Sequence, residues 1–204
     1  HVLRPNFFVN TPDILHAYLQ YGGPSAFKIR AVLASMGSPS WGVYSGYELF
    51  EHVAVRPGSE EYLDSEKYQI RVRDYAEAEA EGRSLAPYLT RLNDIRQRHP
   101  ALHQLRNLRV HWSEDEAIVV FSKHLPGALA ADGRDDTILV VVNVDPHSAR
   151  ETTVHLDTSV WGVAPGDEYE VEDLRTGAVW TWNDHNCVRL DAFAEPMHIL
   201  HVKE

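Results

Sequence analysis

The spacing of apolar residues divides the chain into two parts. From residue 1 to about residue 100, short apolar runs alternate with segments whose apolar residues recur every three or four positions, which predicts alternating strands and helices. Residues 7–9 and 41–44 are the predicted strands, both of the continuous apolar type found in buried sheets. The predicted helices cover ILHAYLQYGG, PSAFKIRAVLASMG and SLAPYLTRLNDIRQRHPAL.

After about residue 104 the apolar pattern changes to short strands. Segments such as EAIVVFSKHL, DDTILVVVNVD, RETTVHLD and MHILHV are separated by clusters of Gly, Pro, Asp and Asn. Within EYEVEDLRTGAVWTW, Arg175, Thr176 and Gly177 predict a turn between two strands. Strands at this spacing over about a hundred residues predict an antiparallel β-sandwich.

Together these patterns predict an α/β part followed by an all-β part. Residues 1–103 are expected to form the last two βα units of a (β/α)8 barrel, and residues 104–204 a C-terminal β-sandwich domain. Because two strands cannot close a barrel of eight, the other strands are expected from residues preceding His1. Residues 51–83, here called the rim loop, are long, polar and acidic. Such a connection is usually functional or disordered, and it would leave from the barrel rim where active sites form.

Composition excludes several classes of partner. The net charge of -11 argues against nucleic acid and against an anionic membrane surface. No apolar run approaches the roughly 20 residues of a spanning helix. Cys187 is the single cysteine, so no intrachain disulfide can form, which fits the reducing cytoplasm. Its position in a predicted strand favours a small buried apolar role.

Most familiar catalytic motifs are absent. The sequence has no phosphate-binding G-x-x-x-x-G-K-[ST], no G-x-S-x-G elbow and no H-E-x-x-H. The 12 histidines are scattered, and His198 and His201 lie three apart in a predicted strand, which places them on opposite faces. We therefore predict structural or surface roles for the histidines and no metal site. Trp180 and Trp182 share a strand face, so they form either a sugar platform or, as we favour, core.

Asp13 and the SEKYQIR segment are the candidates for chemistry. Asp13 follows the first predicted strand in NFFVNTPD, so it is either the N-cap of the next helix or a catalytic carboxylate on the rim, and the two roles are compatible. Lys67 and Tyr68 in the rim loop could bind sugar hydroxyls and stack on a sugar ring. The alternative is that they belong to a solvated loop.

These segments also carry a family resemblance. The strand ends FVNTPD and SGYEL, followed by a β-rich tail with ILVVVNVD, resemble the C-terminal part of the α-amylase superfamily. NFFVNTPD, GPSAFKIRAVLASMGSPSWGVYSGYEL and DSEKYQIR resemble more closely the α-1,4-glucan:maltose-1-phosphate maltosyltransferases of glycogen and α-glucan metabolism. The resemblance covers essentially the whole chain, which corresponds to the end of the family's longer chain.

The resemblance implies a retaining mechanism with an aspartate nucleophile and a glutamate acid/base. This sequence has no counterpart of those two carboxylates, so the chain alone is expected to be inactive. Asp13 corresponds to the third family carboxylate, a transition-state stabiliser, and Lys67 and Tyr68 correspond to residues that bind the maltosyl unit of the donor. Pro12 replaces the histidine that precedes this aspartate in ordinary amylases, which favours transfer over starch hydrolysis.

The implied substrates are maltose 1-phosphate and the non-reducing end of an α-1,4-glucan, with no metal or organic cofactor and a homodimeric assembly. One alternative is another superfamily transferase or hydrolase that acts on α-glucan or trehalose. A second, of a different class, is a non-catalytic glucan-binding module that uses Trp180 and Trp182.

Overall fold

The structure is a computed structural model that describes residues 4–67 and 69–203. Four α-helices are described: α1 Ala17–Tyr21, α2 Gly23–Gly37, α3 Tyr75–Ala80 and α4 Ala86–Arg98. The strands are β1 Phe7–Phe8, β2 Trp41–Gly42, β3 Leu108–Ser113, β4 Ile118–Leu125, β5 Asp136–Asn143, β6 Arg150–His155, β7 Tyr169–Asp173, β8 Val179–Trp182, β9 His185–Leu190 and β10 Met197–Val202. Among the described helices, none is long and apolar enough to cross a bilayer.

Strands β1 and β2 form a parallel pair, in which Phe7 lies opposite Trp41. Helices α1 and α2 connect the two strands, and parallel neighbours need a crossover connection of this kind. The prediction of a buried first strand is wrong for Phe7 and Phe8, which are exposed, and holds for Val9. The two phenylalanine rings line an apolar groove of about 580 Å³ together with Val110 of β3.

The C-terminal half is antiparallel throughout its described strand pairs. Instead of two separate sheets, the described strands form one eight-stranded sheet in the order β8-β7-β10-β5-β4-β3-β6-β9. Strand β3 was not predicted from the sequence. It makes the sheet continuous, because β3 pairs with both β4 and β6. Trp182 of β8 and Val188 of β9 pack in one core, so the two ends of the sheet approach each other. The turn predicted at Gly177 joins β7 and β8.

Strand β5 separates two apolar cores. Ile138, Val140 and Val142 belong to the core beneath the helices. Leu139 and Val141 belong to the core enclosed by the folded sheet. Because both faces of β5 are buried, its sequence is a continuous apolar run rather than an alternating one.

Arg96 of α4 holds the C-terminal end of α2. Its guanidinium donates to the carbonyl oxygen atoms of Ser38 and Pro39, each at 2.8 Å, and to that of Ser35. The last carbonyls of a helix have no partner within that helix. A side chain from α4 therefore supplies the missing donors and fixes the packing of the two helices.

The rim loop contains more local structure than its composition predicts. It includes the helix α3 and an isolated antiparallel bridge between Ala54 and Tyr62. Main-chain hydrogen bonds of 2.9 Å join Val55 to Glu61 and Leu63 to Val53, which makes residues 53–63 a short hairpin. A buried tyrosine, Tyr62, anchors this hairpin on the core.

We predict that Arg96→Met lowers the free energy of unfolding by about 2–4 kcal/mol, because methionine keeps much of the aliphatic packing and removes the charged donors. Arg98→Met is the matched control, since Arg98 is exposed on the same helix and should change stability by less than about 0.5 kcal/mol. Urea denaturation of both variants measures the difference. Equal stability of the two would contradict this role for Arg96.

Candidate functional site

The candidate site lies where the chain leaves the parallel strands β1 and β2. The buried Asn10 side chain joins the two exits: its Oδ1 accepts a hydrogen bond from the N–H of Tyr44 at 2.9 Å. Its Nδ2 donates to the hydroxyl of Tyr62 at 2.6 Å. The Tyr44 hydroxyl in turn accepts from the N–H of Glu66 at 3.1 Å. Hydrogen bonds to Asn10 thus hold the ends of both strands and the rim loop together.

Asp13 lies at the turn that follows. Thr11 and Ile14 exchange main-chain hydrogen bonds across this turn, and the N–H of Asp13 donates to Thr11 Oγ1 at 3.3 Å. The Asp13 side chain is 68% exposed, and its Oδ1 forms an ion pair with Lys67 Nζ. Lys67 Nζ also contacts Glu61 Oε1 at 2.7 Å. The structure therefore brings together Asp13 and Lys67, two of the residues singled out from the sequence.

The helix-cap alternative for Asp13 is wrong. Helix α1 begins at Ala17, and its N-cap is His16, whose Nδ1 accepts a hydrogen bond from the N–H of Tyr18 at 3.2 Å. Asp13 lies before this cap, so its carboxylate is directed to Lys67 instead of to the helix.

The environment of Lys67 keeps it positively charged. Hydrogen bonds to Asp13 first, and then to Glu61, raise the pKa of the Lys67 ammonium above its ordinary value. The three groups form a cluster of two carboxylates around one ammonium. Such a cluster offers both acceptors and donors to the hydroxyl groups of a sugar.

The hairpin of the rim loop is fixed against the segment that carries Asp13. The N–H of Leu15 donates to the carbonyl of Glu60 at 2.5 Å. Gln20 Nε2 of α1 donates to the carbonyl groups of Leu15 and Ser59, at 2.8 and 2.9 Å. These bonds place Glu61 beside the Asp13 turn.

A nearly buried arginine holds the second half of the rim loop. Arg73, whose side chain is 5% exposed, makes a bidentate contact with Glu51 at 2.8 and 3.0 Å. It also contacts Glu66 at 3.0 Å. The pKa of the Arg73 guanidinium is raised by the hydrogen bonds to Glu51 and then Glu66, against the opposing effect of burial. Because Glu66 immediately precedes Lys67, this network fixes the backbone from which the Lys67 side chain extends.

The other residues considered from the sequence have different outcomes. Tyr68 lies outside the described residues. The prediction that both tryptophans are core is confirmed for Trp182 and wrong for Trp180, which is 37% exposed. Trp180 contacts His198 edge-on, with ring centroids 5.3 Å apart. A platform of two open indoles is therefore absent at this strand. Cys187 is exposed, so the expectation that it is buried is wrong.

His198 and His201 lie on opposite faces of β10, as predicted. His198 Nδ1 is 3.0 Å from Asp173 Oδ2. His201 lies near Asp136 and the ring of His99.

Sequence reasoning missed Asn10 and Glu61. Asn10 is part of the polar segment after β1, and a buried polar residue at that point is placed to bond to the neighbouring strand end. Glu61 is one of many acidic residues in the rim loop, and nothing local distinguishes it.

Comparison with known sequences identifies the relatives of this chain. It is 51% identical over 201 residues to α-1,4-glucan:maltose-1-phosphate maltosyltransferase 2 of Streptomyces coelicolor, an alignment that covers 98% of the chain and 29% of that protein. It is 49% identical over 199 residues to the maltosyltransferase of Mycobacterium tuberculosis H37Rv, over 98% of the chain and 28% of that protein. Over nearly its whole length, the chain therefore matches part of the longer α-1,4-glucan:maltose-1-phosphate maltosyltransferases.

The family profile described as "GLGE, C-terminal" matches residues 110–202. The chain spans less than a third of the length of these maltosyltransferases. Solved α-amylases share its fold: an α-amylase of Geobacillus thermoleovorans complexed with acarbose has a TM-score of 0.61 at 15% identity, over 98% of this chain and 39% of that one. AmyP E221Q in complex with maltotriose has a TM-score of 0.63 at 17% identity, over 98% and 41%.

We predict that Arg73→Met in the full-length protein increases amide hydrogen exchange of residues 59–72 by about tenfold or more. The reason is that the loss of a nearly buried bidentate pair costs at least about 1.4 kcal/mol of local stability, which is a factor of ten in an opening equilibrium. Mass spectrometry of exchange measures the effect.

The control for Arg73 is Arg83→Met, because Arg83 makes an exposed ion pair with Glu81 in the same loop. Its substitution should leave exchange of residues 59–72 unchanged. Identical exchange in the two variants would show that Arg73 does not hold this segment.

Proposed function

We propose that this chain is the C-terminal portion of a retaining glycosyltransferase that moves a maltosyl group from maltose 1-phosphate to the non-reducing end of an α-1,4-glucan. The observation that carries the proposal is the contact between Asp13 and Lys67. It joins a carboxylate at the end of β1 to a cation from the rim loop, in a chain about half identical to maltosyltransferases. The reaction needs no metal or organic cofactor, because the carboxylates carry it.

Asp13 is the transition-state stabiliser in this proposal. Glycosyl transfer with retention passes through oxocarbenium-like transition states, and the nucleophile and acid/base belong to preceding parts of the protein. A charged carboxylate near the sugar ring accepts hydrogen bonds from hydroxyl groups and favours the developing positive charge. The Asp13 side chain is 68% exposed, so a sugar can reach it.

Lys67 and Tyr68 bind the maltosyl unit of the donor. The Lys67 ammonium already bridges Asp13 and Glu61, and only 24% of its side chain is exposed. A sugar hydroxyl that accepts from Lys67 and donates to Asp13 would use both groups of this pair. Tyr68 follows directly in the chain and would contribute its ring and hydroxyl.

The remainder of the (β/α)8 barrel is the nearest partner of this chain. Residues 1–103 supply its last two βα units, the rim loop 51–83 contributes to the rim, and residues 104–204 form the C-terminal β domain. Among the described residues, β1 pairs only with β2, and Phe7 and Phe8 leave an apolar groove beside it. We assign the open edge of β1 and this groove to the preceding barrel segment, because exposed apolar edges of this kind are normally covered.

The oligomeric state, compartment and pathway of the full-length protein are part of the same proposal. The full-length protein is a homodimer of the cytoplasm that acts in glycogen and α-glucan synthesis. The acidic chain and its single cysteine fit this compartment and a neutral glucan acceptor.

We predict that Asp13→Asn in the full-length protein lowers the rate of maltosyl transfer by several orders of magnitude, on the scale of removing a charge that stabilises a transition state. Asparagine keeps the size of the side chain and its turn preference, so the melting temperature should stay unchanged. Steady-state kinetics and thermal unfolding are the measurements.

Glu61→Gln is the matched control for Asp13→Asn, because it also removes one ion pair of Lys67 and leaves the Asp13 carboxylate in place. Its effect on rate should be tenfold or less, on the scale of one charged hydrogen bond. If both variants lose activity equally, the release of Lys67 explains the loss and Asp13 has no separate role. A near-normal rate for Asp13→Asn would also overturn the assignment.

We predict that Lys67→Ala and Tyr68→Ala each raise the KM for the donor by about 10- to 100-fold, which corresponds to the loss of a charged hydrogen bond or of ring contact. Arg83→Ala in the same loop is the control, since its exposed pair with Glu81 lies within the loop itself. If neither kcat nor KM changes in the two site variants, Lys67 and Tyr68 belong to a solvated loop without substrate contact.

A further inference from the structure

His99, Asp136 and His201 come together where the helices meet the sheet. His99 follows α4, Asp136 is the first residue of β5, and His201 lies in β10. His99 Nδ1 is 2.9 Å from Asp136 Oδ1, and His201 Nε2 is 3.6 Å from the same oxygen. The donor atoms of the three residues all lie within 4.8 Å of one another.

The fold fixes the three side chains before any ligand binds. His201 pairs with Ile138, two residues beyond Asp136, so Asp136 and His201 project from the same face of neighbouring strands. The second carboxylate oxygen, Oδ2, accepts from the N–H of Ala101 at 2.8 Å, which orients Oδ1 between the imidazoles. His99 and Asp136 are buried, and a quarter of the His201 side chain remains exposed.

The hydrogen bonds of this cluster join His99 to Asp136 but do not include the His201 ring. His99 can donate to Asp136 Oδ1, but the 3.6 Å separation to His201 Nε2 is too long for a hydrogen bond. Among the described contacts the His201 imidazole has no other hydrogen-bond partner. A partly buried ring nitrogen therefore faces a carboxylate oxygen without a bond to it.

The types of donor atom suit a divalent cation at this point. Two imidazole nitrogens and one carboxylate oxygen are a ligand set that zinc accepts.

We propose that His99, Asp136 and His201 bind a zinc ion that ties the end of α4 to strands β5 and β10. Tetrahedral zinc with bonds of about 2.0–2.2 Å needs ligand separations of about 3.3–3.6 Å, so small side-chain rotations bring the three donors into place. A neutral His99 that binds zinc through Nδ1 carries its proton on Nε2, so the proton moves from one ring nitrogen to the other and none is lost. Water would complete the coordination on the exposed side of His201.

The role of this site is structural and is separate from the proposed transfer reaction. Its ligands are distant in sequence, at positions 99, 136 and 201, and come from the helical part and from the sheet. A bond among them opposes separation of α4 from the sheet. Zinc binding to the native state raises stability by an amount that grows with the zinc concentration.

The chain offers a matched control on the same strand. His198 also faces an aspartate, with Nδ1 3.0 Å from Asp173 Oδ2. Its ring contacts Trp180 at 5.3 Å between centroids, and no third metal-binding side chain completes the pair among the described residues. His198→Gln therefore removes an aspartate-bonded histidine of β10 without touching the proposed site.

The test uses the full-length protein stripped of metal with a chelator and titrated with zinc sulfate by calorimetry. We expect the protein to bind zinc at this site, and His201→Gln to lower that affinity by at least about 100-fold, since even loss of an outer-shell partner costs 10–100-fold. His198→Gln should bind like the unmodified protein. Cobalt(II) in place of zinc should give a tetrahedral absorption band that His201→Gln lacks.

Asp136→Asn is the second variant in case His201→Gln does not fold, and it should lose the same zinc equivalent and the same cobalt band. Zinc should also raise the melting temperature of the unmodified protein and of His198→Gln, and leave that of the site variants unchanged. Absence of stoichiometric zinc binding in the unmodified protein would overturn the proposal. Unchanged affinity in the folded site variant would overturn it equally.

Discussion

The Asn10 side chain is the constraint on which the candidate site depends. It is buried two residues after β1, and its amide has partners after β2 and in the rim loop. A buried amide without partners is costly, so the two strand ends and the loop hairpin are held at hydrogen-bond distance from it. Asp13 follows three residues later, and Lys67 follows the Glu66 N–H that binds Tyr44. The Asp13–Lys67 contact therefore depends on Asn10, because its hydrogen bonds hold the three segments together.

The sheet supplies the rigid support for this arrangement. Strands β5 and β10 are buried on both faces, with one face toward the helices and the other toward the enclosed core of the sheet. Helix α2 contacts both β5 and α4, and Arg96 of α4 donates to the carbonyls of Ser38 and Pro39, directly after α2. Because α2 leads directly into β2, this packing sets the position of the strand pair that carries the site.

Local patterns in the sequence were sufficient for most elements. Continuous apolar runs predicted β4, β5 and β10, and the helical stripe of Leu89, Leu92 and Ile95 predicted α4. Strand β3 was missed although Leu108, Val110 and Trp112 alternate with polar residues, and in the structure this apolar face is exposed. Asp13 was a candidate helix cap because the helix was predicted to begin at Ile14. In the structure α1 begins at Ala17, and His16 caps it.

The site itself was only partly predictable, since its contacts join residues far apart in sequence. The sequence named Asp13 and Lys67 separately, and no local pattern could pair residues 54 positions apart. The same limit hid the third partner, Glu61, and the grouping of His99 with His201. The spacing of histidines along one strand shows only whether those histidines share a face. The cluster at Asp136 instead joins a residue at a helix end to residues of two strands.

We propose that the Asp13 rim belongs to an enzyme that transfers maltosyl groups from a phosphorylated donor. The most direct measurement is product analysis of the full-length protein supplied with maltose 1-phosphate and an α-1,4-glucan. We expect inorganic phosphate to be released in proportion to glucan extension by maltosyl units. Release of glucose or free maltose from the glucan, with no extension and no dependence on the phosphorylated donor, would contradict it.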